Sequence, residues 1–192
     1  MYVTADSEVV VKLPVLTTLR LHGMLAGDFR FPPSNLCDIR MRNCYLTDGQ
    51  FQQMMSATGN TLHTLILLDN FNVVNASLLE IIVQHCPNLE YLEVMVEPGN
   101  DLPSHLHRWP EALGRLQELI ISGPLISASS LLCLPTSVHT LALKNRKGDL
   151  GWIVALMIQN SRSLATLRLH NNPTYTQVQK DLVRVGSLRS LC

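Results

Sequence analysis

The sequence predicts an α/β solenoid, or horseshoe, in which short parallel strands form a concave inner sheet and helices or turns form the convex outer face. Two observations predict this fold class. First, the phrase LxxLxL recurs seven times, starting at Leu16, Leu36, Leu62, Leu89, Leu116, Val138 and Leu164. Second, helix-capping signals follow several copies of the phrase at similar distances. A fixed repeat of about 20 to 50 residues is typical of coils that stack and share one core.

The repeated phrase predicts one strand per copy. Its first, fourth and sixth positions are Leu, Ile, Val or Met in all seven copies, which chance does not explain even when the spacing is left free. The alternation from Leu65 to Leu67 is typical of a short strand whose alternate side chains point inward. A broken further copy starts at Leu188.

The spacing between copies predicts a helix on the return path of the longer ones. Starts of consecutive copies lie 20, 26, 27, 27, 22, 26 and 24 residues apart, the last step leading to the broken copy. The capping-box pattern S/T-x-x-E/Q marks three helix starts, at Thr47 with Gln50, Ser77 with Glu80 and Thr174 with Gln177. The shorter copies, which begin at Leu16 and Leu116, are expected to return by turns or a single helical turn.

The repeats also predict the domain organisation. Residues 1–12 form an N-terminal segment, and residues 13–192 form a single repeat domain.

Composition and charge predict a chain without membrane or nucleic-acid partners. Lys plus Arg total 15 and Asp plus Glu total 15, so no overall positive charge favours nucleic acid. The longest apolar run, Trp152 to Ile158, is shorter than the roughly 18 residues of a membrane helix. Because the start lacks the pattern of a secretory signal, we expect a cytoplasmic or nuclear protein.

The stretch from Cys86 to Val94, which reads CPNLEYLEV, carries a family resemblance. It resembles the CPNLxxLxL phrase of ribonuclease-inhibitor-like leucine-rich repeats, especially the cysteine-containing type found in F-box proteins. The resemblance spans residues 13–192 and implies a leucine-rich-repeat solenoid. In that family the ninth repeat position is ideally Asn or Cys, which hydrogen-bonds the turn. Cys44, Asn70 and Asn172 keep it, whereas Met24, Glu97, Pro124 and Arg146 depart from it.

The same resemblance implies a role in ubiquitin ligation. In F-box proteins of this type the repeats hold a substrate, and an amino-terminal F-box docks onto a cullin-type ligase through an adaptor. Only 15 residues precede Leu16, too few for an F-box, and the copy at Leu188 stops without a polar capping repeat. We therefore expect a shortened chain, whose partners include a ligase adaptor only if an F-box lies outside it.

The strand phase predicts which side chains face a partner on the concave sheet. The fifth repeat position carries Arg20, Arg40, Ile66, Glu93, Ile120, Ala142 and Arg168, and the seventh carries His22, Arg42, Leu68, Met95, Ser122, Lys144 and His170. The ends are basic and the middle is apolar, with Tyr91 added from the third position. Apolar and aromatic residues ringed by charge are typical of a protein-binding surface.

The predicted protein-binding residues are accordingly Ile66, Leu68, Tyr91, Glu93, Met95, Ile120, Arg40, Arg42 and Arg168. Two alternatives stay open, namely that a loop covers the sheet locally or that the register is off by one residue.

No catalytic residue, metal site or cofactor is predicted. His105 and His107 lie beside Trp109 in a proline-containing loop, but two ligands do not complete a tetrahedral zinc site. Adjacent residues such as His85 and Cys86 normally face different ways, which argues against a thiol–imidazole nucleophile. Arginines acting on a nucleotide phosphate, as in repeat-containing GTPase activators, lack a supporting motif.

The predicted function is therefore protein recognition. The first hypothesis is a substrate-recognition module related to F-box ubiquitin-ligase receptors. The alternative is a free-standing scaffold or inhibitor that uses the same face without any link to a ligase.

Overall fold

The chain has an α/β structure built on a parallel sheet. The computed structural model describes residues 9–10, 15–23, 29–30, 34–68, 76–95, 112–123, 134–144, 163–170 and 190–191. The strands are β1 (Val9–Val10), β2 (Thr18–His22), β3 (Phe29–Arg30), β4 (Asp38–Arg42), β5 (Thr64–Leu68), β6 (Tyr91–Met95), β7 (Glu118–Ser122), β8 (Thr140–Lys144), β9 (Thr166–His170) and β10 (Ser190–Leu191). The helices are α1 (Asp48–Thr58), a 3-10 turn at Gly59–Thr61, and α2 (Ala76–His85).

The large sheet follows the chain from one edge to the other. Its order is β2, β4, β5, β6, β7, β8, β9 and β10, and all neighbouring strands are parallel. Seven of these strands have five residues, while β10 has two. Strands β1 and β3 pair separately in a two-stranded parallel sheet, which the repeat pattern did not predict.

The strand predictions are confirmed for all seven copies of the phrase. Each five-residue strand begins two residues after the start of its copy, and β10 begins two residues after Leu188. The register places the fifth positions in one continuous row across the sheet, from Arg20 beside Arg40 to Ala142 beside Arg168. The alternative of a register off by one residue is wrong, because on β4 and β5 the fourth and sixth positions are buried and the fifth and seventh are not.

A relay of backbone hydrogen bonds connects successive copies just before the strands. The carbonyl oxygen at the second repeat position accepts bonds from the N–H groups at the second and third positions of the next copy. These carbonyls belong to Thr17, Cys37, His63, Glu90, Gln117 and His139, and the N···O distances run from 2.8 to 3.1 Å. Because the relay uses only main-chain atoms, it sets the step between copies whatever the second side chain is.

The residue after a strand adopts a left-handed conformation in the three copies where the structure describes it. Gly23, Asn43 and Gly123 have φ values of 67°, 52° and 136°. Their N–H groups donate to the last carbonyl of the neighbouring strand at 3.0, 3.1 and 3.1 Å, respectively. Glycine and asparagine tolerate positive φ, so this eighth position ends the strand by a turn that most side chains would strain.

The aliphatic rows of the phrase form the core on one face of the sheet. In the second to seventh copies the first, fourth and sixth positions are buried wherever their side chains are described, whereas Leu16, Leu19 and Leu21 of the first copy are half-buried. Phe51, Met54, Met55, Leu79 and Ile82 from the two helices belong to the same cluster. The helices therefore pack on this face, and the third, fifth and seventh positions point to the other.

Helix α1 begins where the capping pattern predicted. Thr47 Oγ1 accepts a hydrogen bond from the Gln50 N–H at 3.2 Å, and Gln50 Oε1 accepts one from the Thr47 N–H at 2.9 Å. The second capping prediction is wrong in detail, because α2 starts at Ala76 and so places Ser77 inside its first turn. The third predicted start, at Thr174 and Gln177, lies outside the described residues.

Neither described helix is suited to a membrane. Within the part of the chain that the structure covers, no helix has both the length and the apolar character needed to cross a bilayer.

The turn after α1 passes very close to the end of α2. A Cβ atom added at Gly59 would collide with the carbonyl oxygen of His85, and it would lie 2.8 Å from the His85 carbonyl carbon and 3.1 Å from Cys86 Sγ. Gly59 has an ordinary helical φ of −60°, so space and not backbone conformation requires glycine here. This close approach lets consecutive helices pack against each other.

We predict that Gly59→Ala lowers the free energy of unfolding by about 1 to 3 kcal/mol, because the His85 backbone must move to admit the methyl group. Gly49→Ala is the matched control, since its Cβ would meet only Thr47 Oγ1 at 4.0 Å. That control should raise stability by roughly 0.4 to 1 kcal/mol through the unfolded state. Urea denaturation of both variants measures the difference, and equal stabilities would contradict the close approach.

Candidate protein-binding surface

The candidate site lies on the sheet face opposite the helices, which we call the variable face. It consists of the side chains at the third, fifth and seventh repeat positions of β2 and β4 to β9, which differ between copies. The third row holds Thr18, Asp38, Thr64, Tyr91, Glu118, Thr140 and Thr166. Because neighbouring parallel strands lie about 4.8 Å apart, residues of the same row on adjacent strands can contact one another.

The variable face is most accessible on its first strands. Arg20 and His22 of β2 are exposed, as are Arg40 and Arg42 of β4. Ile66 and Leu68 of β5, and Tyr91 and Met95 of β6, are half-buried. Of the predicted binding residues, Arg40, Arg42, Ile66, Leu68, Tyr91 and Met95 therefore lie together on three adjacent strands.

The predicted exposure of two site residues is wrong. Ile120 is 6% exposed and Glu93 is 7% exposed. Ser122 and Ala142, beside them on β7 and β8, are buried as well. The middle of the variable face is thus buried, and side chains of the sheet itself contribute to covering it.

Ion pairs that span an intervening strand account for part of this burial. Lys144 Nζ on β8 lies 2.7 Å from Glu93 Oε1 on β6. Strands β6 and β8 flank β7, so their backbones are separated by about 9 to 10 Å, and the two side chains must lie across Ile120 or Ser122. The substitution Ile120→Glu would therefore place a second carboxylate beneath the ion pair of Glu93 and Lys144.

A second pair repeats this arrangement one strand along. Arg168 Nη1 on β9 lies 3.1 Å from Glu118 Oε1 on β7, and the side chains cross β8 near Ala142. Arg168, a predicted binding residue, is thus engaged within the sheet and lies three strands from the cluster on β4 to β6.

Glu93 is held at both of its carboxylate oxygens. Lys144 contacts Oε1, and the Tyr91 hydroxyl donates to Oε2 at 3.1 Å. Burial, and then the negative charge of Glu93, raise the pKa of Tyr91 above its usual range. Tyr91 therefore stays protonated and keeps its donor role on the face.

Arg40 is oriented by an aspartate on its own strand. Its Nε lies 3.0 and 3.1 Å from the two oxygens of Asp38, and its Nη2 lies 2.8 Å from Oδ2. These hydrogen bonds and the charge of Asp38 raise the pKa of Arg40. The Arg40 side chain nevertheless remains 43% exposed and can approach a partner.

Sequence reasoning missed several charged groups that form ion pairs on the face. Asp38 and Glu118, both at the third position, and Lys144, at the seventh, were not among the predicted site residues. The signal was present, because opposite charges recur at outward positions of nearby copies. It was overlooked because only one residue of the third row was considered.

The two buried cysteines of the described residues, Cys44 and Cys86, have structural surroundings. Cys44, at the ninth position, is buried, and its thiol donates to the Arg42 carbonyl at 3.3 Å, as the resemblance implies. Cys86 Sγ lies 3.6 Å from Met55 Sδ, and burial raises the pKa of the Cys86 thiol to about 12. His85 Nε2 lies 3.5 Å from Ser56 Oγ, so the adjacent imidazole and thiol contact different partners.

Metal ligands are not grouped in the described ranges. No set of three or more His, Cys, Asp or Glu side chains there is arranged to hold an ion. The predicted loop with His105, His107 and Trp109 lies outside these ranges.

Comparison with known proteins finds no relative. A scan against protein-family models gives no match, and searches of curated proteins and of solved structures give none either.

We predict that Lys144→Met lowers the free energy of unfolding by about 1 to 3 kcal/mol, because it leaves the buried Glu93 carboxylate with a single hydroxyl partner. Arg40→Met is the control, since it breaks a more exposed pair and should cost less than about 1 kcal/mol. Adding Glu93→Gln to Lys144→Met should recover part of the loss. Equal costs for the two single changes, measured by urea denaturation, would show that the buried pair behaves like a surface one.

We predict an alkaline loss of stability that depends on Cys86. Its pKa is higher in the fold than the ordinary value of 9.0, so the stabilisation is complete below pH 9 and declines as the pH rises towards the folded value near 12. The stability difference between wild type and Cys86→Ala should shrink by about 1.4 kcal/mol per pH unit in this window. Thermal unfolding from pH 8 upwards measures it, and a constant difference would count against a buried neutral thiol.

Proposed function

We propose that the chain is a leucine-rich-repeat solenoid of the ribonuclease-inhibitor-like type and that it recognises a partner protein through a concave variable face. Sequential parallel strands, the backbone relay and the buried aliphatic rows support the stacking of similar coils. The CPNLEYLEV stretch supports the choice of family.

Simple dimensions support the proposed curvature. Helices α1 and α2 lie in consecutive copies and contribute to one core with β4, β5 and β6. Packed helices need about 8 to 10 Å between their axes, whereas neighbouring strands need about 4.8 Å. A layer of helices therefore takes more room than the sheet beneath it, which favours a coil with the strands on the inside.

The observation that carries the proposed function is the cluster on β4 to β6. Arg40 and Arg42 stand in register beside Ile66 and Leu68, with Tyr91 and Met95 on the next strand. Arginine, tyrosine and methionine are enriched at protein–protein interfaces, and arginine and tyrosine are among the side chains that contribute most to affinity. The arrangement supports binding and offers no assembled nucleophile, base and oxyanion donors.

As its cellular role we propose substrate recognition related to F-box receptors. The sequence resemblance supports this role, and it requires an F-box outside this chain to recruit a ligase adaptor. Recovery of such an adaptor with the longest natural form of the protein supports the ligase role. Recovery of the same partners without an adaptor favours a scaffold or inhibitor.

We predict that Leu68→Asp combined with Met95→Asp abolishes partner capture, because each places a charge in the apolar part of the cluster. The matched control is Gln53→Asp, which adds a charge to an exposed position of α1 on the opposite side. Quantitative affinity purification from cells should show partners reduced on the order of tenfold or more with the double variant and unchanged with the control.

Circular dichroism and denaturation of both purified variants establish that they are folded. Partners that survive the double change but disappear with Gln53→Asp would place the binding surface on the helices instead.

A further inference from the structure

We infer that the partner presents an acidic segment containing aliphatic or aromatic residues, and that this segment lies on strands β2 to β6 of the variable face. The inference rests on the proposed function and narrows it to one class of partner. It comes from an uneven distribution of charge across the face.

The first two strands of the large sheet carry an excess of positive charge. Their outward residues include three arginines, Arg20, Arg40 and Arg42, and one carboxylate, Asp38. All three arginines are exposed, while the Asp38 side chain is 20% exposed and is turned towards Arg40. Since Lys plus Arg equal Asp plus Glu over the whole chain, this excess is local.

The strands at the other end carry no such excess. On β6 to β9 the outward carboxylates, Glu93 and Glu118, are matched by Lys144 and Arg168. These ion pairs lie across β7 and β8, where they contribute to covering Ile120 and Ala142. A ligand on β7 or β8 would have to displace these ion pairs. Arg168 and His170 on β9 are partly or fully exposed, but the covered strands separate them from the apolar groups, so the segment lies on β2 to β6.

Apolar groups adjoin the positive strands directly. Ile66 is paired in register with Arg40, and Leu68 with Arg42, so each aliphatic side chain stands one strand spacing, about 4.8 Å, from a guanidinium-bearing residue. The complementary ligand carries carboxylates next to apolar side chains at a similar distance. Side chains three or four residues apart on a helix, at about 5 to 6 Å, satisfy this spacing.

A nucleic acid fits this surface less well. Single-stranded nucleic acids bind where aromatic rings stack on bases along a positive groove. On the variable face of the described strands the aromatic residue is Tyr91, and its hydroxyl is bonded to the Glu93 carboxylate. The apolar groups beside the arginines are aliphatic, which favours a polypeptide.

The test is a selection from a displayed library of random linear peptides against the purified full chain. Peptides enriched on wild type should contain more Asp and Glu than Lys and Arg, together with Leu, Ile, Phe or Trp. A synthetic peptide from the enriched set should bind Arg20→Glu on the order of tenfold more weakly at low salt, and raising the salt should weaken its binding to wild type. Arg115→Glu is the control, because it makes the same change in net charge at an exposed turn before β7.

The measurement is repeated with the double variant Arg20→Glu and Arg42→Glu, in which the charge change is larger. If this double variant does not fold, the result for Arg20→Glu alone is decisive. Enriched peptides without an acidic bias that lose binding to Leu68→Asp with Met95→Asp would overturn this inference and leave the proposed function intact. Peptides that bind that double variant as well as wild type, or no enrichment at all, would overturn both. Binding of a mixed-sequence RNA oligonucleotide that competes with the peptides and requires Arg20 would replace the acidic segment by a nucleic acid.

Discussion

The structure depends on the constant step between one strand and the next. Two contacts set it, namely the backbone relay from each second-position carbonyl and the aliphatic rows packed beneath the sheet. Because both act between neighbouring copies, each added strand is placed by the one before it. The same step aligns the third, fifth and seventh positions into rows, so the variable face exists only because the core is repetitive.

The periodic leucines made most of the fold predictable from the sequence. Part of the site was not predictable, because long charged side chains pair across an intervening strand. The leucine phrase predicted seven strands, each of which begins two residues into its copy, and Thr47 with Gln50 located a helix start. Lys144 reaches across a whole strand to Glu93 and contributes to the burial of Ile120 and Glu93, and this reach depends on rotamers and not on spacing. One periodic signal was overlooked. The eighth position holds Gly23, Asn43, Asp69, Val96, Gly123, Asn145 and Asn171, and three of these residues adopt the left-handed conformation.

The variable face separates into two parts with different electrostatics. On β6 to β9 carboxylates and cations satisfy each other and close over small or apolar residues. On β2 and β4 arginines exceed carboxylates and stand beside the half-buried aliphatics of β5. The partner proposed above would therefore lie on β2 to β6, where a chain without net charge still offers a local positive surface.

The relay runs along the edge of the sheet where the strands begin, and it affects which side chains that edge can carry. Its donors and acceptors are all main-chain atoms, and the side chains that it carries are as different as Cys37, His63, Glu90 and Ala165. His63 and Glu90 even form a half-exposed pair there at 3.1 Å without taking part in the relay. The side chains at these second positions can therefore be replaced without loss of the relay. A fluorophore or an affinity tag can be attached there without disturbing the sheet.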